Sequence, residues 1–86
     1  MKTTTYKYTV QAQCPCVPEN RDRYEFELVM ESGKMIEVTE LTKWFDENAS
    51  ENEIFQEALT ERCATTFGCK VKSIGWHHGV QVICEA

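Results

Sequence analysis

The chain has 86 residues, a formal net charge of −5 and five cysteines. This length supports one small domain, and the negative charge argues against a free-standing nucleic-acid-binding domain, which needs a basic surface. No apolar run approaches the roughly 20 residues of a membrane span, and the polar N-terminus has no signal-peptide core. An odd number of cysteines does not fit a fully paired disulfide framework, so we expect reduced thiols in a cytoplasmic protein with no membrane partner.

Two alternating segments predict the first two strands. Residues 4–14 alternate between apolar and polar side chains, which predicts a half-buried strand ending at Cys14. Pro15 and Pro18 interrupt this pattern, because proline lacks the N–H that a strand ladder uses. Residues 24–31 alternate again, and the ESGK segment after them predicts a turn. The apolar face of this second strand consists of Tyr24, Phe26, Leu28 and Met30.

Two amphipathic helices are predicted next. Thr39 is the expected N-cap of the first helix, whose apolar face contains Leu41, Trp44 and Phe45. Ser50 and Glu53 have the spacing of a capping box for the second helix, and Gly68 suits its end. The predicted buried face of the second helix consists of Ile54, Phe55, Ala58, Leu59 and Cys63.

The segments KVKSIGW and GVQVICEA predict two final strands joined by a tight turn at HHG. The order strand, strand, helix, helix, strand, strand predicts an α+β fold in a single domain, residues 1–86. Its four-stranded antiparallel sheet would carry both helices on one face. Because such a sheet has exposed edges, we expect protomers to pair edge to edge into a ring or barrel.

The Cys-Pro-Cys segment after the first strand has three interpretations. Cys14 and Cys16, with His77 and His78, are possible zinc ligands, although their spacing differs from that of a zinc finger or ribbon. Alternatively, Cys14 is a nucleophile that exchanges a proton with Asp22, eight residues later. In the third interpretation the cysteines only pack in the core, which also suits the remaining thiols.

Three segments, CPCVPENRDRYEFEL, MIEVTELTKWF and IFQEAL, together resemble the core of the 7-cyano-7-deazaguanine (preQ0) nitrile reductases of queuosine biosynthesis. More distantly, the chain is similar to type IB GTP cyclohydrolases. Both families have the tunnelling fold (T-fold), whose ββααββ subunits assemble into barrels. The resemblance covers roughly residues 6–85. It implies a homo-oligomer that binds a purine- or pterin-like ring at a subunit interface.

The resemblance also implies roles for individual residues. Cys14 matches the nucleophile that forms a covalent thioimide with a nitrile carbon, and Asp22 matches the general acid, displaced by one residue. Glu37 and Glu57 match the glutamates of the substrate site, where a carboxylate can bind a ring N–H and an amino group together. Gln56 stands where the family has histidine, and we include it among the expected substrate-binding residues.

The segment expected to bind NADPH differs from the family pattern. Residues 37–42 lack both lysines of the family's Glu-Ser-Lys-Ser-Leu-Lys, so we expect no NADPH and no reduction. Relatives without this motif act as amidinotransferases on preQ0-modified tRNA. A tRNA partner would fit this acidic chain only if assembly gathered basic residues such as Arg21, Lys70 and Lys72. Two other functions stay open: a non-catalytic oligomeric scaffold, and a zinc-dependent enzyme similar to the cyclohydrolases.

Overall fold

The computed structural model describes residues 2–13, 21–50, 54–77 and 79–86. Within these ranges the elements follow the predicted order, which confirms the α+β fold class. Among these residues no helix is long and apolar enough to cross a lipid bilayer. The elements are β1 (Thr3–Gln13), β2 (Arg21–Glu31), α1 (Val38–Phe45), a π-helical segment (Asp46–Ser50), α2 (Gln56–Phe67), β3 (Lys70–His77) and β4 (Val80–Glu85).

The four strands form one sheet in the order β1-β2-β3-β4, and each neighbouring pair is antiparallel. Tyr8 lies opposite Phe26, which lies opposite Ser73, which in turn lies opposite Cys84. These four residues form one row across the sheet, on the face that the helices cover. Within the described sheet, β1 and β4 are the edge strands.

The predicted turn between the last two strands is confirmed. His77 pairs with Val80, so two residues connect β3 and β4. Gly79 has φ of 83°, a conformation that glycine adopts without the steric cost of a side chain. The hairpin therefore brings the end of β3 and the start of β4 to the same end of the sheet as the end of β1.

The core lies between the helices and one face of the sheet. Phe45 of α1 is fully buried, and its ring centroid lies 5.1 Å from that of Tyr8 and 4.9 Å from that of Phe26. Helix α2 lies over β3 and β4. Burial of each large apolar side chain stabilises the fold by about 1.5–3 kcal/mol. The buried apolar strand residues are Val10, Ala12, Tyr24, Phe26, Leu28, Met30 and Val71, as the alternating pattern predicts for β1 and β2.

The N-cap predicted for α1 is wrong by two residues. The helix begins at Val38, and Glu37 is its N-cap. The carboxylate of Glu37 accepts a hydrogen bond from the backbone N–H of Glu40, at 3.2 Å. Thr39 lies inside the first turn and donates its hydroxyl hydrogen to the same carboxylate oxygen. Glu37 thus satisfies backbone donors that the helix start leaves without intrahelical partners.

The predicted start of α2 is also wrong. The chain continues from α1 into the π-helical segment, so Ser50 ends one helical element instead of capping the next. Helix α2 begins at Gln56 with Phe55 as an N-cap that makes no side-chain cap hydrogen bond. Glu53, the other half of the predicted capping box, is outside the described residues. The predicted end is confirmed, since Gly68 is the C-cap with φ of 63°.

The buried face of α2 is partly as predicted. Ile54, Leu59 and Cys63 are buried, but the side chain of Phe55 is 54% exposed and Ala58 is exposed. The face of α2 that contacts the sheet consists of four residues that are three or four positions apart, and two of these residues are polar. These positions are Gln56, Leu59, Thr60 and Cys63.

Candidate functional site

The predicted site residues divide into those that the structure describes and those that it does not. Cys14, Cys16 and His78 lie outside the described residues, so the nucleophile and the zinc alternative stay predictions. Asp22 is in the second position of β2, paired with Ala12. The remaining predicted residues are Glu37, Gln56, Glu57 and His77.

Gln56 is the centre of a buried polar cluster under the first turn of α2. Only 1% of its surface is exposed. Its Nε2 lies 3.0 Å from the carbonyl oxygen of Val82, 3.1 Å from the Ser73 hydroxyl and 3.3 Å from the Ser73 carbonyl oxygen. Its Oε1 lies 3.0 Å from Nε2 of His77. The amide group of Gln56 therefore connects α2 with β3 and β4.

Thr60, one turn later, extends this cluster. Its hydroxyl donates a hydrogen bond to the backbone carbonyl of Gln56 at 2.7 Å and lies 2.6 Å from the Ser73 hydroxyl. Among the described residues no buried side-chain nitrogen or oxygen lacks a hydrogen-bond partner. Because an unsatisfied buried polar group costs about 1–3 kcal/mol, a complete cluster of this kind specifies how α2 sits on the sheet.

Gly75 provides the space that this cluster needs. A Cβ atom at this position would lie 2.6 Å from Cδ1 of Tyr24 and 2.8 Å from Oε1 of Gln56. Both distances are shorter than van der Waals contact, so any side chain here would displace the tyrosine ring or the amide. The ring of Tyr24 also packs on His77, with ring centroids 5.7 Å apart.

Glu57 is exposed in the first turn of α2, where the helix dipole favours a negative charge. The thiol of Cys84 on β4 donates to its Oε1 across 4.0 Å. The pKa of Cys84 is raised, mainly by burial and next by the charge of Glu57, although a hydrogen bond from Ser73 opposes this shift. The carboxylate thus lies beside the β4 edge of the sheet.

Glu37 lies in a different part of the molecule. The neighbouring backbone N–H of Ile36 donates to the hydroxyl of Tyr6 on β1 at 2.9 Å. The hydrogen bonds from Thr39, and a weaker one from Glu40, hold the pKa of Glu37 below its ordinary value. Glu37 thus follows a residue bonded to one edge strand, β1, whereas Glu57 lies beside the other edge strand, β4. One protomer does not bring these two carboxylates together.

Across residues 2–13, 21–50, 54–77 and 79–86, no group of three or more His, Cys, Asp or Glu side chains is arranged to hold a metal ion. His77 contacts Gln56 and Tyr24, as described above. The zinc alternative therefore depends on Cys14, Cys16 and His78, which lie outside those ranges.

Sequence reasoning missed Thr60 and Ser73. Three signals point to them in retrospect. Ser73 has the inward-facing parity of β3, between Val71 and Gly75, and Thr60 is four residues after Gln56. The glycine within β3 is the strongest of the three, because glycine inside a strand often marks a close approach by another group.

The chain has a structural relative among known proteins. No protein-family model matches the sequence, and no curated protein matches it. Among solved structures, the archaeosine synthase QueF-Like in the apo form matches with a TM-score of 0.81 and 21% sequence identity. The match covers 100% of this chain and 92% of that chain. The resemblance inferred from the sequence is confirmed at the level of the fold: this chain shares the ββααββ fold of that protein.

Proposed function

We propose that this protein binds a nitrile-bearing 7-deazapurine of the preQ0 type and forms a covalent thioimide through Cys14 without a nicotinamide cofactor. The observation that carries the proposal is the full-length fold match to an archaeosine synthase. The sequence adds a Cys-Pro dipeptide directly after the last residue of β1 and two glutamates in the family order. The missing lysines of residues 37–42 favour a non-reductive reaction.

The proposed addition balances without a redox partner. The thiolate sulfur of Cys14 bonds to the nitrile carbon, one C–N π bond breaks, and the nitrogen takes a proton from Asp22. A nitrogen nucleophile such as ammonia can then displace the sulfur, giving an amidine and the free thiol. Hydride transfer would instead give an amine, but it requires the NADPH segment that this chain lacks.

The proposed site forms between protomers. Strands β1 and β4 run in opposite directions, so β4 of one protomer can pair with β1 of the next as an antiparallel extension of the sheet. Glu57 lies near β4 and Glu37 follows the residue that is hydrogen-bonded to β1. Pairing of β4 with β1 of the next protomer forms a seam that would bring Glu57 of one protomer toward Glu37 of the next. A ring of such seams removes the exposed edges.

The proposed ligand is a small base, not a tRNA. On the outer face of the sheet, Lys7 and Lys72 alternate with Glu27 and Glu85 in one row across the strands. Lys7 lies 3.8 Å from Glu27, so part of this positive charge is already neutralised. A surface of alternating sign gives little of the counterion release that drives nucleic-acid binding.

Intact-mass measurement after incubation with preQ0 tests the proposal. We expect an adduct whose added mass equals that of the whole ligand, on the wild type and on Cys16→Ala but not on Cys14→Ala. Glu57→Gln should need at least about tenfold more ligand, because it loses a charge-assisted hydrogen bond. A wild-type protein that stays unmodified would refute covalent nitrile chemistry. A parallel incubation with preQ0-containing tRNA distinguishes the two substrates.

A further inference from the structure

We propose that Gln56 is a positioning residue: its buried amide holds the first turn of α2 on the sheet and thereby fixes where the carboxylate of Glu57 lies. The inference rests on the proposed function for the ligand that Glu57 binds, but the contacts behind it are all between residues that the structure describes. It replaces the direct ligand contact that the sequence predicted for Gln56.

A ligand cannot reach the amide of Gln56, because only 1% of this residue is exposed. The carbonyl oxygens of Val82 and Ser73 can only accept hydrogen bonds, so the NH₂ end of the amide faces them, at 3.0 and 3.3 Å. The opposite atom, Oε1, lies 3.0 Å from Nε2 of His77. Both ends of the amide are therefore bound within the protein, and a substitution of Gln56 affects a ligand only through a neighbouring residue.

The N-cap of α2 contributes no side-chain hydrogen bond to the start of the helix. Its N-cap is Phe55, whereas Ser, Thr, Asp or Asn at this position commonly bonds to the first turn. The side-chain donor at this start is instead the amide of Gln56, the first residue of α2, and its partners belong to β3 and β4. Because hydrogen bonds require defined distances and angles, bonds to two neighbouring strands fix both the position and the rotation of the first turn.

Glu57 is the next residue and lies beside the strand that accepts from the amide. Gln56 donates to the carbonyl of Val82 on β4. The thiol of Cys84, two residues further along β4, donates to Oε1 of Glu57 across 4.0 Å. Consecutive helix residues are about 100° apart around the helix axis, so anchoring Gln56 on the sheet also sets the direction in which Glu57 leaves the helix.

Ser73 gives a second connection between the amide and Glu57. Its hydroxyl lies 3.1 Å from Nε2 of Gln56 and 2.6 Å from the hydroxyl of Thr60. Ser73 is directly opposite Cys84 in the register of β3 and β4, and the two side chains are hydrogen-bonded. A displacement of the amide would therefore reach Glu57 by two routes, through the helix backbone and through Ser73 and Cys84.

A double-mutant cycle on the affinity for 7-deazaguanine tests this role. This probe keeps the ring of the proposed ligand but has no nitrile, so its binding is reversible. Gln56→Met should weaken binding at least about threefold in the wild-type background but less than about twofold in Glu57→Gln, because there it has no carboxylate left to position. Ser73→Ala removes one acceptor of the amide and should show the same pattern with a smaller factor. Equal factors in the two backgrounds would overturn the inference.

Two controls separate positioning from a general loss of stability. Glu61→Met places a methionine on the exposed side of α2, and Cys63→Ala removes a buried side chain about two turns after Gln56. Both should bind the probe as the wild type does, and thermal melts verify that every variant is folded. Weakened binding in Cys63→Ala equal to that in Gln56→Met would show that any loss of stability in α2 has this effect, and would overturn the inference.

A measurement without ligand separates this inference from the proposed function. NOEs between the side chains of Glu57 and Cys84 should be present in the wild type and in Glu61→Met, and lost in Gln56→Met. Their absence from the wild type, or their persistence at full intensity in Gln56→Met, would overturn the inference. A wild type that binds no 7-deazaguanine would instead overturn the proposed ring-binding role of Glu57, and the NOEs would still decide whether Gln56 places this side chain.

Discussion

The two helices cover the same face of one sheet but bury different kinds of side chain. Helix α1 buries Leu41 and Phe45, and its capping hydrogen bonds are at the surface. Helix α2 has no side-chain cap and instead buries Gln56 and Thr60 between its apolar residues. Apolar packing tolerates small shifts, whereas a buried amide must meet its partners with defined geometry. The contrast indicates that the apolar contacts of α1 mainly stabilise the fold, whereas the buried polar groups of α2 fix the placement of this helix on the sheet.

The largest expected effect of a single substitution is in the apolar core under α1. Phe45→Ala should lower the free energy of unfolding by about 3–5 kcal/mol, because the ring is fully buried among Tyr8, Phe26 and Trp44. Urea denaturation followed by circular dichroism measures the loss, with the exposed neighbour Lys43→Ala as the control. A loss below 1 kcal/mol would show that α1 is not the main packing element.

Substitution in the buried polar cluster under α2 should have a smaller effect on stability. Gln56→Met fills a similar volume but leaves the carbonyl of Val82 and the Ser73 hydroxyl without their donor. We expect a loss of about 1–3 kcal/mol in the same denaturation experiment. Glu61→Met reports the effect of a methionine on the exposed side of α2. If Gln56→Met is as stable as the wild type, the cluster does not specify how α2 sits on the sheet.

The same contrast explains which features could be predicted from the sequence. The alternation of apolar and polar residues in β1 and β2 follows directly from burial, because every second side chain faces the helices. The apolar face of α1 was predicted for the same reason. In α2, however, two of the four buried positions are polar, so a pattern of apolar residues assigned Phe55 and Ala58 to the core and missed Gln56 and Thr60.

The site was less predictable than the fold for a different reason. Its parts come from strand ends and helix starts that are far apart in the sequence, and the pairing of His77 with Gln56 depends on the register of β3 and on the space above Gly75. In the proposed assembly, the roles of Glu37 and Glu57 would depend further on contacts between the edge strands of two protomers. No local spacing in a single chain encodes contacts of this kind.

The next prediction concerns the apolar end of α2. Burial, with a smaller contribution from Cys69, raises the pKa of Cys63 from 9.0 to about 12. The folded state therefore holds this proton more tightly than the unfolded state, so stability is complete below pH 9 and falls as the pH rises toward 12. The wild type should lose up to about 1.4 kcal/mol per pH unit more than Cys63→Ala in this range. If the free energies of unfolding of the two proteins change with pH in parallel, the raised pKa of Cys63 is contradicted.

The smallest expected effect is at the exposed cap of α1. The hydroxyl of Thr39 is the main cause of the lowered pKa of Glu37, so Thr39→Val should return that pKa toward its ordinary value, as a ¹³C titration of the carboxyl group would show. Because the pKa is lowered in the folded state, the stabilisation by Glu37 is present above the ordinary carboxyl pKa and is lost as the pH falls through the lowered value. Glu37→Gln should therefore lower the Tm less than either helix substitution above, and mainly at neutral pH. An unchanged Glu37 titration in Thr39→Val would contradict the hydroxyl of Thr39 as the main cause of the lowered pKa.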